Sequence, residues 1–233
     1  MTDEQPGRAV STQALCLFGS QTALHLREGF NRSRHPMLIC DDQRRWVSAN
    51  AAATELLETS ATDIPWRTMD EFTPASGRRR LEEQWQAFLT SGAAEGWFEL
   101  CIPGRGTVPV EFSAIAHVLP SRHLSVFIPP QPADLRSGED DLGCQRMWRA
   151  IPPVGDSAQL TQREREVITL IASGGQSIDM GARLFLSPET IKSHAQHAMT
   201  KLGAHTRAHA VAIALVTGQI VWSMYDPEGL QDS

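Results

Sequence analysis

Lysine is almost missing from this chain: Lys192 and Lys201 are the only two, and arginine supplies the rest of the 21 basic side chains. The four cysteines, Cys16, Cys40, Cys101 and Cys144, are scattered without a CxxC pair, which excludes a zinc ribbon and a disulfide framework and leaves idle or buried thiols. No apolar run approaches the ~20 residues that a membrane span needs. The opening stretch MTDEQPGRAV lacks the basic-then-apolar layout of a secretory signal, so a cytoplasmic chain with no membrane partner is expected. A glycine-rich phosphate loop, a nucleophile elbow and a paired-carboxylate motif are also wanting, so no enzyme and no catalytic residue is expected.

What is present is ordinary for a globular chain, with 41% hydrophobic and 21% charged residues. At 233 residues it exceeds the usual size of one core, which points to two modest domains and a linker. The net charge of -6 argues against a nucleic-acid partner for the chain as a whole, but an average over two domains can hide a local change of sign.

Residues 129–158 read PPQPADLRSGEDDLGCQRMWRAIPPVGDSA, where prolines, glycines and acidic residues break any periodicity. The chain is therefore divided into an N-terminal helical segment (1–33) suited to dimerisation, a first domain (34–129), a linker (130–157), a second domain (158–222) and a tail (223–233). Within the linker, Met147 and Trp148 are the large apolar pair available to dock on a domain surface.

In the N-terminal half a helical pattern covers residues 11–30. Residues 37–40 and the stretch opening at Trp46 flank an Asp41, Asp42, Gln43 turn as a hairpin does, and Asn50 is placed to cap a helix over residues 51–57. Residues 77–89 read as a helix with Arg78–Glu82 and Arg79–Glu83 pairs on its solvated side. Strands are expected over 97–102, 108–116 and 124–128; the second alternates except at Ile115. Trp66, Phe72, Trp85, Phe88, Trp97 and Phe112 read as core rather than as the lining of a pocket, although an unidentified small ligand is left open. Two strands, helices and three strands in this order, with Asp41, Arg44, Trp46 and Asn50 at the spacing of an Asp-x-x-Gly-x-Ile-x-x-x-Asn stretch, resemble a PAS sensor domain. The resemblance implies an α+β fold, an antiparallel sheet with flanking helices. Arg44 stands where that family has glycine. Cys40 and Cys101 lack the surroundings of a flavin-reactive thiol, and no histidine is placed as a haem ligand, so no cofactor is expected.

The C-terminal segment parses into four helices. Thr161 with Glu164 forms a capping box, and Gly174 and Gly175 end the first helix. A second helix covers 177–185. Ser187 followed by Pro188 opens a third that ends at Gly203. On this third helix Ile191, Ala195, Ala198 and Leu202 recur at helical spacing, which leaves Lys192, Ser193, Gln196 and Thr200 on the opposite side. Lysine can donate to guanine and glutamine can pair bidentately with adenine, so this side suits base edges.

Leu160, Thr161, Arg163, Glu164, Glu166, Val167, Ala172, Gly174, Leu184, Ser187, Thr190, Lys192, His194, Lys201, Leu202, Gly203, Arg207, Ala210 and Val211 fall in one register on the LuxR/NarL-type pattern. The segment is similar to that helix-turn-helix family. The resemblance implies a sequence-specific transcriptional regulator of double-stranded DNA, with Lys192, Ser193 and Gln196 on the major-groove face. Thr190, His194 and Lys201 are left to phosphates or to packing that holds the helix. It also implies that the last helix, 206–216, dimerises, with a pseudo-palindromic operator as the target and RNA polymerase as the protein such a regulator would meet. Ser177 replaces an asparagine, Gly181 an alanine at a cost of ~1 kcal/mol in helix propensity, and Ala204 a larger aliphatic.

Between Leu160 and Ile220 the six cations Arg163, Arg165, Arg183, Lys192, Lys201 and Arg207 face the four anions Glu164, Glu166, Asp179 and Glu189. So weak an excess implies few phosphate contacts per monomer and a need for two half-sites. His194 with His197 and His205 with His209 have metal-binding spacings, but no cysteine or carboxylate pair accompanies them, so no metal is expected. Two rivals concern the N-terminal half. A degenerate response-regulator receiver fits the acidic Asp41 and Asp42 but lacks any lysine before Lys192 and any well-placed phosphoacceptor; a pure oligomerisation platform fits the N-terminal helix.

Overall fold

The computed structural model describes residues 21–128, 149–151, 158–175 and 177–220. Helix α1 (Gln21–Arg32) leads to strands β1 (Met37–Cys40) and β2 (Trp46–Ala49), then to the short helix α2 (Ala51–Leu56). After three 3-10 turns comes helix α3 (Arg78–Ser91), followed by β3 (Ala93–Ile102), β4 (Gly106–Leu119) and β5 (Arg122–Ile128). The expected order of elements forms, with longer strands than the alternation alone indicated. Residues 11–20 of the expected first helix lie outside the described residues.

With a sixth strand, β6 (Arg149–Ile151), the sheet runs β2-β1-β5-β4-β3-β6, every neighbour antiparallel. Strand β6 lies within residues 130–157 and pairs with Ala93, Ala94 and Glu95 of β3. Met147 and Trp148 lie outside the described residues.

The β1–β2 turn forms because Asp41 Oδ1 accepts from the amides of Gln43 (2.9 Å) and Arg45 (3.0 Å), a side chain standing in for a backbone turn. Arg44 takes a left-handed φ of 62°, a conformation that favours glycine. Its guanidinium offsets that strain: Nε donates to Asp70 (2.9 Å), one amino group reaches Glu82 (2.7 Å), and the fork lies over the Trp85 ring. Glu82 is thus held by Arg44 rather than by Arg78 as expected, while Arg79 and Glu83 do face each other at 3.6 Å.

Asn50 joins the N-terminal half together. Its Oδ1 accepts from the amides of Met37 (3.0 Å) and Ala53 (2.9 Å), capping α2, and its Nδ2 donates to the carbonyls of Ser33 (3.2 Å) and His35 (2.9 Å).

Both faces of the sheet carry buried side chains. One carries an aromatic core including Trp46, Phe72, Trp85, Phe88, Phe98 and Phe112. The Cys40 thiol sits there and burial pushes its pKa up to about 12. Trp66, expected in this core, is 83% exposed. The other face, with Met37, Ile39, Ile115, Leu124 and Val126, joins the core of the C-terminal helices. Ile115 therefore breaks the alternation because a second layer packs on its side of the sheet.

That layer holds helices α4 (Gln162–Ala172), α5 (Ser177–Leu184), α6 (Pro188–Leu202) and α7 (Arg207–Val216). The last carbonyls of a helix have no partner within it. Those of α4 are satisfied from the other domain: Ser33 Oγ (2.9 Å) and the Arg34 amide (3.2 Å) donate to Ala172, and His35 Nε2 donates to Ile171 at 2.6 Å. Burial lowers the His35 pKa, which keeps its ring neutral. The loop that Asn50 holds is therefore the loop that caps α4.

Candidate nucleic-acid interface

Local sequence sets the frame of the C-terminal unit. Thr161 and Glu164 make the reciprocal capping box at the start of α4. Glu164 also accepts from Lys201 Nζ at 2.8 Å, tying the start of α4 to the end of α6. Burial works against the charged carboxylate, but Lys201 and the Thr161 amide outweigh it, and the Glu164 pKa falls below the ordinary range. Arg163 bridges Glu166 (2.6 Å) and the Leu184 carbonyl (2.8 Å), which fixes the end of α5.

The turn between α5 and α6 is tight. Phe185 takes a φ of 56°, and the Leu186 amide donates to the Gly181 carbonyl at 2.9 Å. A Cβ on Gly181 would stand 2.6 Å from the Leu186 carbonyl oxygen. Glycine at this position therefore answers a close backbone approach, which helix propensity alone did not reveal.

Ser187 caps α6 by accepting from the Thr190 amide at 3.1 Å, Pro188 follows it, and Gly203 ends the helix at a φ of 65°. Ile191, Ala195, Ala198 and Leu202 are buried. Lys192, Ser193, Gln196 and His197 are exposed together along the opposite side, and Lys192 makes no ion pair among the described residues. Thr190 and His194 are half-buried at its margin, and the Thr190 hydroxyl lies 3.0 Å from Ser187 Oγ. The Thr200 hydroxyl donates to the Gln196 carbonyl at 3.0 Å. Of the six residues expected at the site, three share the open side, two flank it and Lys201 is held by Glu164.

Helix α7 is different. Thr206 caps it by accepting from the His209 amide at 3.1 Å, and every residue from Ala208 to Leu215 is buried. It packs against α4 and α6 of its own unit and also against α1, β4 and β5. Sequence reasoning missed what meets its first turn. Glu111 Oε1 lies 3.5 Å from the Ala208 amide, and the buried Glu95 carboxylate lies 3.1 Å from His205 Nδ1 and 3.0 Å from His209 Nδ1. No local pattern marks Glu95, because the strand was expected to begin only at Trp97. Between sheet and helix lies an apolar cavity of about 280 Å³, lined by residues including Gly92, Ile115, His117, Ile213 and Val216.

The model of bacterial regulatory proteins of the luxR family matches residues 158–214, and that of the PAS fold matches residues 30–123. The spore germination protein GerE of Bacillus subtilis is 38% identical over 61 residues, which are 26% of this chain and 82% of GerE. The probable transcriptional regulatory protein NarL of Mycobacterium tuberculosis is 45% identical over 56 residues, and the match covers 24% of this chain but only 26% of NarL. Among solved structures, the Vibrio cholera VqmA–ligand–DNA complex is 17% identical, covers 85% of this chain and 89% of that one, and superposes with a TM-score of 0.38.

Proposed function

The chain belongs to the luxR family of bacterial regulatory proteins, and we propose that it is a sequence-specific transcriptional regulator whose N-terminal sensory half governs a DNA-binding C-terminal unit. The observation that carries this reading is the side of α6 where Lys192, Ser193 and Gln196 stand exposed while its other side is fixed in the core. Lys192 and Gln196 read base edges in the major groove, with Ser193 between them. Thr190 and His194 meet the flanking phosphates, and Lys201 positions the helix through Glu164.

Two copies act together on a pseudo-palindromic site in the cytoplasm, because one module has few cations to offer. The working division is a sensory domain over 34–129, a connection over 130–157 and a DNA-binding domain over 158–222. In the state described, α7, the helix that the family resemblance assigns to dimerisation, lies under β4 and β5. Control by the sensory half is then release of that helix. A signal that favours the separated state shifts the population toward dimer and DNA. A cavity between the sheet and α7 offers room for a small ligand that would bias this release.

The test is operator recovery by genome-wide binding, followed by gel-shift titration. Lys192→Ala and Gln196→Ala should each weaken binding to the recovered site by roughly 1–3 kcal/mol. Binding unaffected by both changes contradicts the reading.

A further inference from the structure

We propose that Glu95, His205 and His209 bind one divalent transition-metal ion of the zinc class, which braces the C-terminal helices against the sheet. Glu95 comes from β3, His205 from the residue before the Thr206 cap, and His209 from the first turn of α7. The two Glu95 oxygens each face one imidazole Nδ1, at 3.1 Å for His205 and 3.0 Å for His209, and all three ligand groups lie within 4.8 Å of one another. Ligand atoms placed about 2.0–2.2 Å from a tetrahedral ion stand about 3.3 Å apart, so little movement closes the site. The two rings are nearly parallel, 18° apart, with centroids 6.4 Å from each other.

The independent observation is His209 itself. It is only 3% exposed, yet neither of its ring nitrogens is in a hydrogen bond, because the 3.0 Å contact with Glu95 lacks hydrogen-bond alignment. Directly opposite Glu95 on β4, the buried Ser113 hydroxyl also has no hydrogen-bond partner. Burying such groups unpaired is costly, and an ion bound at His209 Nδ1 answers it for that nitrogen. Two imidazoles and one carboxylate suit zinc or a neighbouring first-row metal rather than calcium or magnesium, which prefer oxygen. His205, 60% exposed at its side chain, leaves a side open for water as a fourth ligand.

A second cluster, Asp42, His117 and His123, looks alike by proximity but is already satisfied. There His123 Nδ1 accepts from the His117 amide (3.1 Å), so Nε2 carries the proton and donates to Asp42 (3.0 Å), and His117 Nε2 donates to the Leu89 carbonyl (3.1 Å). It serves as the internal control.

Because the ligands come from both sides of the junction, the ion binds only while α7 lies on the sheet, and it opposes release by its binding free energy. This consequence for DNA rests on the function proposed above; the ion site does not. The full chain, stripped with a chelator and titrated with Co²⁺, should take up one ion per chain with a visible absorption band, and Zn²⁺ should displace it. His205→Ala and Glu95→Gln should each weaken uptake by more than about tenfold at unchanged far-ultraviolet dichroism, while His117→Ala leaves it intact. Absence of stoichiometric uptake, or uptake indifferent to His205→Ala, overturns the site. Saturating Zn²⁺ should lower operator affinity in the wild type and not in His205→Ala. An unchanged wild-type affinity overturns the coupling alone, and absence of operator binding without metal marks failure of the proposed function instead.

Discussion

Helices α6 and α7 are neighbours in one small unit, yet they meet their surroundings in opposite ways. Helix α6 buries one side and holds Lys192, Ser193 and Gln196 out to solvent; α7 is buried from Ala208 to Leu215, on one side by its own unit and on the other by β4 and β5. On the function proposed above, the surface for reading DNA is thus ready, while the surface for pairing two copies is masked. Under that proposal regulation acts on assembly, and base recognition needs no remodelling.

The largest effect should come from breaking the cover on α7. Ile115→Glu places a carboxylate on the sheet face that packs against the C-terminal core. Keeping it docked would cost several kcal/mol, roughly 3–5 by comparison with other unpaired buried charges. Sedimentation should show a larger dimer fraction, with the helical signal retained; a monomer with unchanged hydrodynamics would mean that the cover does not control pairing. Next in size is Asn50→Ala, which removes the α2 cap and leaves the Met37 amide and the Ser33 and His35 carbonyls short of a partner. A loss of about 2–3 kcal/mol in urea denaturation is expected. Faster hydrogen exchange at the end of α4 should accompany it, because the same loop caps that helix.

A smaller effect sharpens the comparison from the side of α6. Lys201→Met removes the link to Glu164 and should cost about 1 kcal/mol, the pair being partly exposed. The Glu164 pKa is depressed in the folded state, so its stabilisation is present above the ordinary carboxylate range and is lost as pH falls through the folded value. Denaturation curves across the acid range should therefore fall less steeply for the variant than for the wild type. The smallest expected effect is at the turn: Gly181→Ala gains up to about 1 kcal/mol in helix propensity but forces the Leu186 carbonyl to move, and the net change should be destabilising. A rise in melting temperature would contradict that geometry.

Much of this was legible in the chain because it is local. The capping box at Thr161, the Ser187–Pro188 start of α6, the Asn50 cap and the order of strands each depend on neighbours within a few residues. The open side of α6 followed from a period of 3.6 alone. What escaped depends on contacts far apart in sequence. Ile115 looked like a lapse in alternation and is instead the mark of a second layer. Trp66 looked like core by residue type but stands exposed in a 3-10 turn. Strand β6 hid in a proline-rich stretch, since three residues are too few to show a period. His205 and His209 lacked a third partner when read along the chain; Glu95, more than a hundred residues earlier, supplies it only through the packing of α7 on the sheet.

Spin labels at Glu99→Cys on β3 and Arg207→Cys at the start of α7, both exposed positions, report that packing directly. Labelled chains diluted with unlabelled ones should give a short, narrow distance when free and a longer one when saturated with operator DNA. The same short distance in the free and the fully operator-bound protein would contradict release of α7 as the step on which DNA binding depends.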